Sequence, residues 1–162
     1  MLGRIPMRDV RSLDDVLAFV ESSDGEKVLI CDVDNTLAPQ GVPLGEFEVL
    51  VNEAIDRLEA NARVARVIAL TNGPQRHVAR MVSRGNKPWT TRRRLGLRGS
   101  RVPVVVVGDQ VLTDGVLAWR LRGTFLHLVI DDEAEERRQA IMRRIGNVVI
   151  GGLFRRSQGP PG

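Results

Sequence analysis

The run Val28-Leu29-Ile30-Cys31-Asp32-Val33-Asp34-Asn35-Thr36-Leu37 joins an apolar stretch of strand length to two aspartates spaced by one residue and then a hydroxyl. Side chains alternate along a strand, so Asp32 and Asp34 would share a face if the extension persisted. The expectation at a strand's carboxyl end is a turn that brings both carboxylates into one small volume. Two carboxylates there repel unless a cation or a proton intervenes. That pairing suits a Mg²⁺ site with a nucleophile and an acid/base beside it. The same residues also fit an Asx-type turn after a strand, with Asp and Asn side chains bonding the backbone.

Outward from this run, the pattern is strand, helix, strand. Ser12-Leu13-Asp14-Asp15 reads as a helix start capped by Ser12, and Leu13, Val16, Leu17 and Val20 keep helical spacing to about Ser22. Lys27–Cys31 reads as the first strand, with residues 1–11 irregular. Ala38–Gly45, rich in Pro and Gly, reads as a loop. Phe47, Leu50, Val51, Ala54, Ile55 and Leu58 mark a helix from Glu46 to about Asn61. Val64–Leu70 and Val102–Val107 read as strands, and Phe125–Ile130 as the last one. Helices are expected at Gln75–Ser83, Leu112–Leu121 and Glu133–Ile145. Apolar strands alternating with helices imply an α/β fold, a three-layer Rossmann-like parallel sheet covered on both faces. The expectation is a single domain over residues 1–153 and a disordered tail over 154–162.

The chain has 162 residues, a net charge of +4 and one cysteine. That length suffices for one domain with a full core. Cys31 cannot form an internal disulfide, and its apolar neighbours suit a small buried hydrophobe. No apolar stretch is long enough to span a membrane and no signal-peptide core is visible, so the expected location is cytoplasmic. From Arg84 to Arg101 there are seven basic residues and no acidic one. Such a block favours an anionic partner or forms a solvated basic face. No aromatic platform accompanies it, so specific nucleic-acid recognition is not expected.

Ligands of parallel sheets bind outside the carboxyl ends of the strands. The polar clusters fall there: Asp32 and Asp34 after one strand, Thr71 and Asn72 after the next, Asp109 and Asp114 after the Val102–Val107 strand. Thr71 or Asn72 could instead cap the following helix, and so could Asp114.

Asp32-Val33-Asp34-Asn35-Thr36, Thr71, Lys87-Pro88 and Gly108-Asp109-Gln110-Val111-Leu112-Thr113-Asp114 resemble the four ordered motifs of the haloacid dehalogenase (HAD) superfamily. Asp-Asn-Thr-Leu, Lys-Pro and Gly-Asp-Gln-x-x-Thr-Asp look most like its YqeG-like branch, which includes phosphatidylglycerophosphate phosphatases. The resemblance implies a Mg²⁺-dependent phosphatase. Asp32 would be the nucleophile that forms an aspartyl-phosphate, and Asp34 the acid/base. Thr71 and Asn72 would bind the phosphoryl group, and Lys87 would neutralise it. Mg²⁺ would be held by Asp32, Asp34 through its backbone carbonyl, Asp109 and Asp114. The substrate would be a phosphomonoester, with an anionic phospholipid at a membrane surface as one class and a soluble sugar or nucleotide phosphate as another. A non-enzymatic basic binding module is the reading from a different class.

Two features depart from that pattern. The segment from Thr71 to Lys87 is short, with no apolar strand before Lys87-Pro88, which leaves the reach of Lys87 open. The connections also leave no room for a sizeable cap domain, so an open site is expected. Near the C-terminus Arg137, Arg138, Arg143 and Arg144 accompany apolar positions, a pattern that fits either a surface helix packed on the sheet or a segment lying peripherally on anionic lipid.

Overall fold

The computed structural model describes residues 3–39, 41–72, 87–130 and 149–156. Six strands form one sheet in which every neighbouring pair is parallel. The elements are β1 (Ile5–Val10), α1 (Leu13–Ser22), β2 (Lys27–Asp32), α2 (Leu44–Glu59), β3 (Val64–Leu70), β4 (Val104–Gly108), a π-helical turn (Val111–Gly115) continuing into α3 (Val116–Leu121), β5 (Thr124–Leu128) and β6 (Phe154–Arg156). Strand order is β3-β2-β4-β5-β1-β6. The expected α/β three-layer sheet is the observed one, and the described residues contain no cap domain. No helix among them is long and apolar enough to cross a membrane.

β2 is buried along its whole length, as its continuous apolar run requires for a central parallel strand. Its side chains divide between two cores. Leu29 and Cys31 join Val105, Val107, Val67 and Ala69 under α1 and α2. Val28 and Ile30 join Val104, Val106, Ile68 and Leu70 under α3. With a period of two, Asp32 falls on the face of Ile30, the side of α3.

Ser12 caps α1 as expected: its hydroxyl accepts from Asp15 N–H, while Arg11 N–H donates to Asp15 Oδ2 at 2.7 Å. This reciprocal pair satisfies donors that the first helical turn cannot. α2 starts at Leu44, two residues before the expected Glu46. Pro43 fits just outside the first turn because it brings no amide hydrogen, and its carbonyl accepts from Phe47 N–H at 2.9 Å.

Three expectations are corrected. Residues 5–10 are not irregular but form β1, with Ile5, Met7 and Val10 buried. Pro6 and the charged Arg8 and Asp9 mask the pattern, yet Pro6 lies just before the first β1–β5 pair, Met7↔Phe125. Phe125–Ile130 is not the last strand, because Phe154–Arg156 pairs with β1 through Ile5↔Phe154. The expected tail therefore does not begin at 154: Phe154 is buried against Phe125 with ring centroids 5.7 Å apart. The expected helix at Leu112–Leu121 divides into a π turn and α3. Helices expected at Gln75–Ser83 and Glu133–Ile145 lie outside the described residues.

Candidate active site

β2 and β4 are neighbours, and the chain leaves the carboxyl end of β2 toward β3 on one side and that of β4 toward β5 on the other. Such a switch point opens a crevice where loops diverge. Asp32 is the last residue of β2, and Asp109 directly follows β4.

After Asp32 the chain turns at once. Val33 carbonyl accepts from Thr36, Leu37 and Ala38 N–H at 3.3, 3.0 and 3.2 Å. Asn35 takes a positive φ of 60°, a conformation asparagine tolerates better than most residues. The turn separates the two aspartates. Asp32 Oδ1 accepts from Val33 N–H at 2.8 Å. Asp34 Oδ2 accepts from the Thr71 hydroxyl at 3.2 Å.

Lys87 reaches the site despite the short segment before it. Its Nζ donates to Asp32 Oδ1 at 2.5 Å and to Asp114 Oδ1 at 2.8 Å, with all three side chains buried. Asn72 holds Lys87 there. Lys87 N–H donates to Asn72 Oδ1 at 2.9 Å, and Asn72 Nδ2 donates back to Lys87 carbonyl at 3.3 Å. Both ends of the Asn72 amide are thus engaged by Lys87 backbone, and this residue, expected to bind substrate, positions the lysine. The pair joins the end of β3 to Lys87 much as a strand would have done.

Asp114 arrives through the π turn. Its N–H and that of Gly115 both bond Gln110 carbonyl, at 2.8 and 3.3 Å, and Gln110 N–H donates to Asp114 Oδ2 at 3.3 Å. The wider turn aims the carboxylate back over the end of β4. There, a Cβ on Gly108 would lie 2.3 Å from Asp114 Oδ2, so only glycine leaves room. One carboxylate oxygen each from Asp32, Asp109 and Asp114 lies within 4.8 Å of the others. The Asp34 carboxylate stands outside this group, against Thr71.

Among the described residues, the Lys87 ammonium contacts two of the three clustered carboxylates, Asp32 and Asp114. Burial pushes the Asp114 carboxyl up to about 7; Lys87 opposes that rise, and Asp32 adds to it. Burial alone would lower the Lys87 ammonium, but the charges of Asp114 and Asp32 outweigh it and its pKa stands above the ordinary lysine value. Cys31 is fully buried one residue before Asp32; burial, then Asp32 and Asp114, push its thiol up to about 12. It is an inert core residue, as its neighbours in sequence imply.

His127 supports the site without entering it. On β5 it pairs with Gly108, its Nε2 lies 3.2 Å from Asp109 carbonyl, and its Nδ1 lies 3.0 Å from Asp9 Oδ1. Both neighbours are acceptors, so the ring satisfies both only when it carries two N–H groups. Nothing near His127 in sequence signals this, because Asp9 belongs to a strand that charge and proline conceal.

The chain matches no family model, no curated protein and no solved structure. Fold and geometry define the class: an α/β protein with a lysine-tethered carboxylate cluster at the switch point of a parallel sheet.

Proposed function

We propose that this protein is a Mg²⁺-dependent phosphomonoester hydrolase of the HAD type, acting through an aspartyl-phosphate at Asp32. The observation that carries the reading is the Asp32–Lys87–Asp114 contact, with Asp109 beside it, at the carboxyl ends of β2 and β4. The donor set suits the metal: three clustered carboxylates present hard oxygen ligands, which Mg²⁺ prefers. Asp32, Asp109 and Asp114 would hold it, with Asp34 contributing its carbonyl. When bound, it would neutralise charge on the transferring phosphoryl group.

The residues divide the rest of the work. Val33 N–H and Lys87 both bond Asp32 Oδ1 and fix the carboxylate, which would leave Oδ2 as the attacking oxygen. Oδ2 attacks, the ester P–O bond breaks, and its electron pair leaves on the alcohol oxygen. Asp34, steadied by Thr71, gives that oxygen a proton. Asp34 then takes a proton from water as the water attacks phosphorus and releases Asp32. Thr71 would exchange its bond to Asp34 for one to a phosphoryl oxygen, and Lys87 would offset charge on the same group. Most of the acceleration would come from positioning and charge neutralisation.

Because the described residues include no cap, the site suits a phosphate carried on a large or surface-bound substrate. A phospholipid monoester such as phosphatidylglycerophosphate is the favoured class, with soluble sugar or nucleotide phosphates as the alternative. The test is Mg²⁺-dependent phosphate release from phosphatidylglycerophosphate in mixed micelles and from p-nitrophenyl phosphate. Release from the lipid that disappears in folded Asp32→Asn supports both activity and substrate class. Release from the soluble ester alone keeps the hydrolase and removes the lipid. A folded protein that releases phosphate from neither, nor from a panel of sugar and nucleotide phosphates, overturns the proposal.

A further inference from the structure

Residues 87–108 contain Lys87, Arg92, Arg93, Arg94, Arg98 and Arg101 and no acidic side chain. The part before β4 is irregular yet built. Leu95 and Leu97 are buried in the core under α3. Turns fold it tightly: Leu95 N–H donates to Thr91 carbonyl at 3.1 Å and Leu97 N–H to Arg92 carbonyl at 2.8 Å. Gly96 supplies the positive φ, 69°, that the chain needs between the two leucines.

One arginine holds the segment together. The Arg92 guanidinium donates to Leu121, Ser100 and Val102 carbonyls at 3.1, 3.2 and 3.4 Å. Arg93, Arg94, Arg98 and Arg101 are exposed instead. Among the described residues none of these four forms an ion pair. Beside them on α3, Arg120 lies 4.8 Å from the centre of the Trp89 ring, and Arg122 is exposed at the helix end. Trp89 is 63% exposed, the only exposed aromatic among the described residues. Like charges fixed on a short ordered segment repel one another and concentrate anions at the surface.

We propose that this surface docks the protein on an anionic lipid bilayer, with Trp89 at headgroup level and the exposed arginines on lipid phosphates. Tryptophan favours the membrane–water boundary, where an apolar ring has a polar edge to satisfy. Basic residues near an anionic leaflet add attraction that salt screens. Nucleic acid fits less well. Single strands need a series of aromatic faces, and here there is one. A duplex groove takes a helix or a two-stranded ribbon, and this segment is neither. The surface does not depend on chemistry at Asp32, and its test reads binding rather than turnover.

The experiment is flotation of the full chain with vesicles of phosphatidylcholine alone and with one-third phosphatidylglycerol, at low and physiological salt. The expected result is binding to the anionic vesicles only, weakened by salt. Each arginine removed should weaken binding about fivefold. Arg94→Gln/Arg98→Gln should then bind roughly twenty-five-fold more weakly at an unchanged thermal midpoint, and Trp89→Ala should weaken binding further. Equal binding to both vesicle types overturns the proposal. So does anionic-vesicle binding that survives the double substitution, which places attachment elsewhere on the chain. Tighter binding to duplex or single-stranded RNA than to vesicles, indifferent to Trp89→Ala, overturns it in favour of nucleic acid.

Discussion

The two ends of β2 each bury a lysine nitrogen, and they use it differently. At the amino end Lys27, 7% exposed, donates to Asp24 carbonyl and, at 2.9 Å, to Gly25 carbonyl. At the carboxyl end Lys87, 8% exposed, meets the carboxylates of Asp32 and Asp114. The first lysine ties a turn down through neutral dipoles that ask for nothing more. The second bridges two carboxylates that lie close to a third, Asp109. Burial of a lysine is therefore no sign of function by itself; the sign is its place among clustered carboxylates. A fold can absorb the first arrangement for stability alone, whereas the second draws carboxylates together at an electrostatic cost that a bound cation would relieve.

The same substitution at both ends tests this contrast most severely. Lys87→Met should lower Mg²⁺-dependent phosphate release by about a thousandfold or more, as loss of a buried charge acting on the reacting group does. It should also cost about 3–5 kcal/mol, since two buried carboxylates lose their cation. Denaturant titration and turnover measured on one preparation check both numbers. Comparable turnover in Lys87→Met and wild type would erase the distinction between the two ends.

Gly108→Ala probes the carboxyl end without touching a charge. The added methyl must displace the Asp114 carboxylate, and a shift of about 1 Å in a positioned group can cost on the order of a hundredfold in rate. Turnover near wild type would mean that Asp114 placement is unimportant.

A pH experiment sharpens the electrostatic half of the comparison. Asp114 has its folded pKa raised from 3.8 to about 7, so the folded chain keeps a proton that the unfolded chain releases. This contribution to stability is complete below about pH 4 and is lost as pH rises through about 7. In chelator, the thermal midpoint of the wild type should fall over that window relative to Asp114→Asn. Added Mg²⁺ should raise the wild-type midpoint more at pH 8 than at pH 5. Parallel curves for the two proteins would show that Asp114 titrates like a solvated carboxyl.

The smallest effect is expected at the amino end. Lys27→Met should cost about 1–3 kcal/mol, the worth of charged hydrogen bonds to carbonyls, and leave phosphate release within about twofold. A large loss of turnover there would break the separation of roles.

Sequence exposes these features unevenly, for physical reasons. β2, β3 and β4 are continuous apolar runs because both their faces are buried, so they are legible without their neighbours. Asp32, Thr71, Lys87, Asp109 and Asp114 are legible as polar residues at or beyond strand ends in a fixed order. β1 and β6 are not, since β1 owes its strand form to β5 and β6, and β6 owes its own to β1. Asn72 reads locally as a cap or a phosphate ligand; its bonds to Lys87, fifteen residues on, have no local trace. The π turn is equally silent, because it is fixed by the fit of Asp114 against Gly108 and Gln110 rather than by any propensity of Val111–Gly115.

The pairing of β1 also sets an order of assembly. Among the described strands β1 leaves the ribosome first, yet its inner edge waits for β5 and its outer edge for β6. Until then Ile5, Met7 and Val10 have no sheet to join, while β2, β3 and β4 can already associate around the carboxylate cluster. Contacts between segments so distant in sequence form slowly, since loop closure precedes any gain from them. A growing chain would hold the strands that carry the carboxylate cluster together before β1 finds a place.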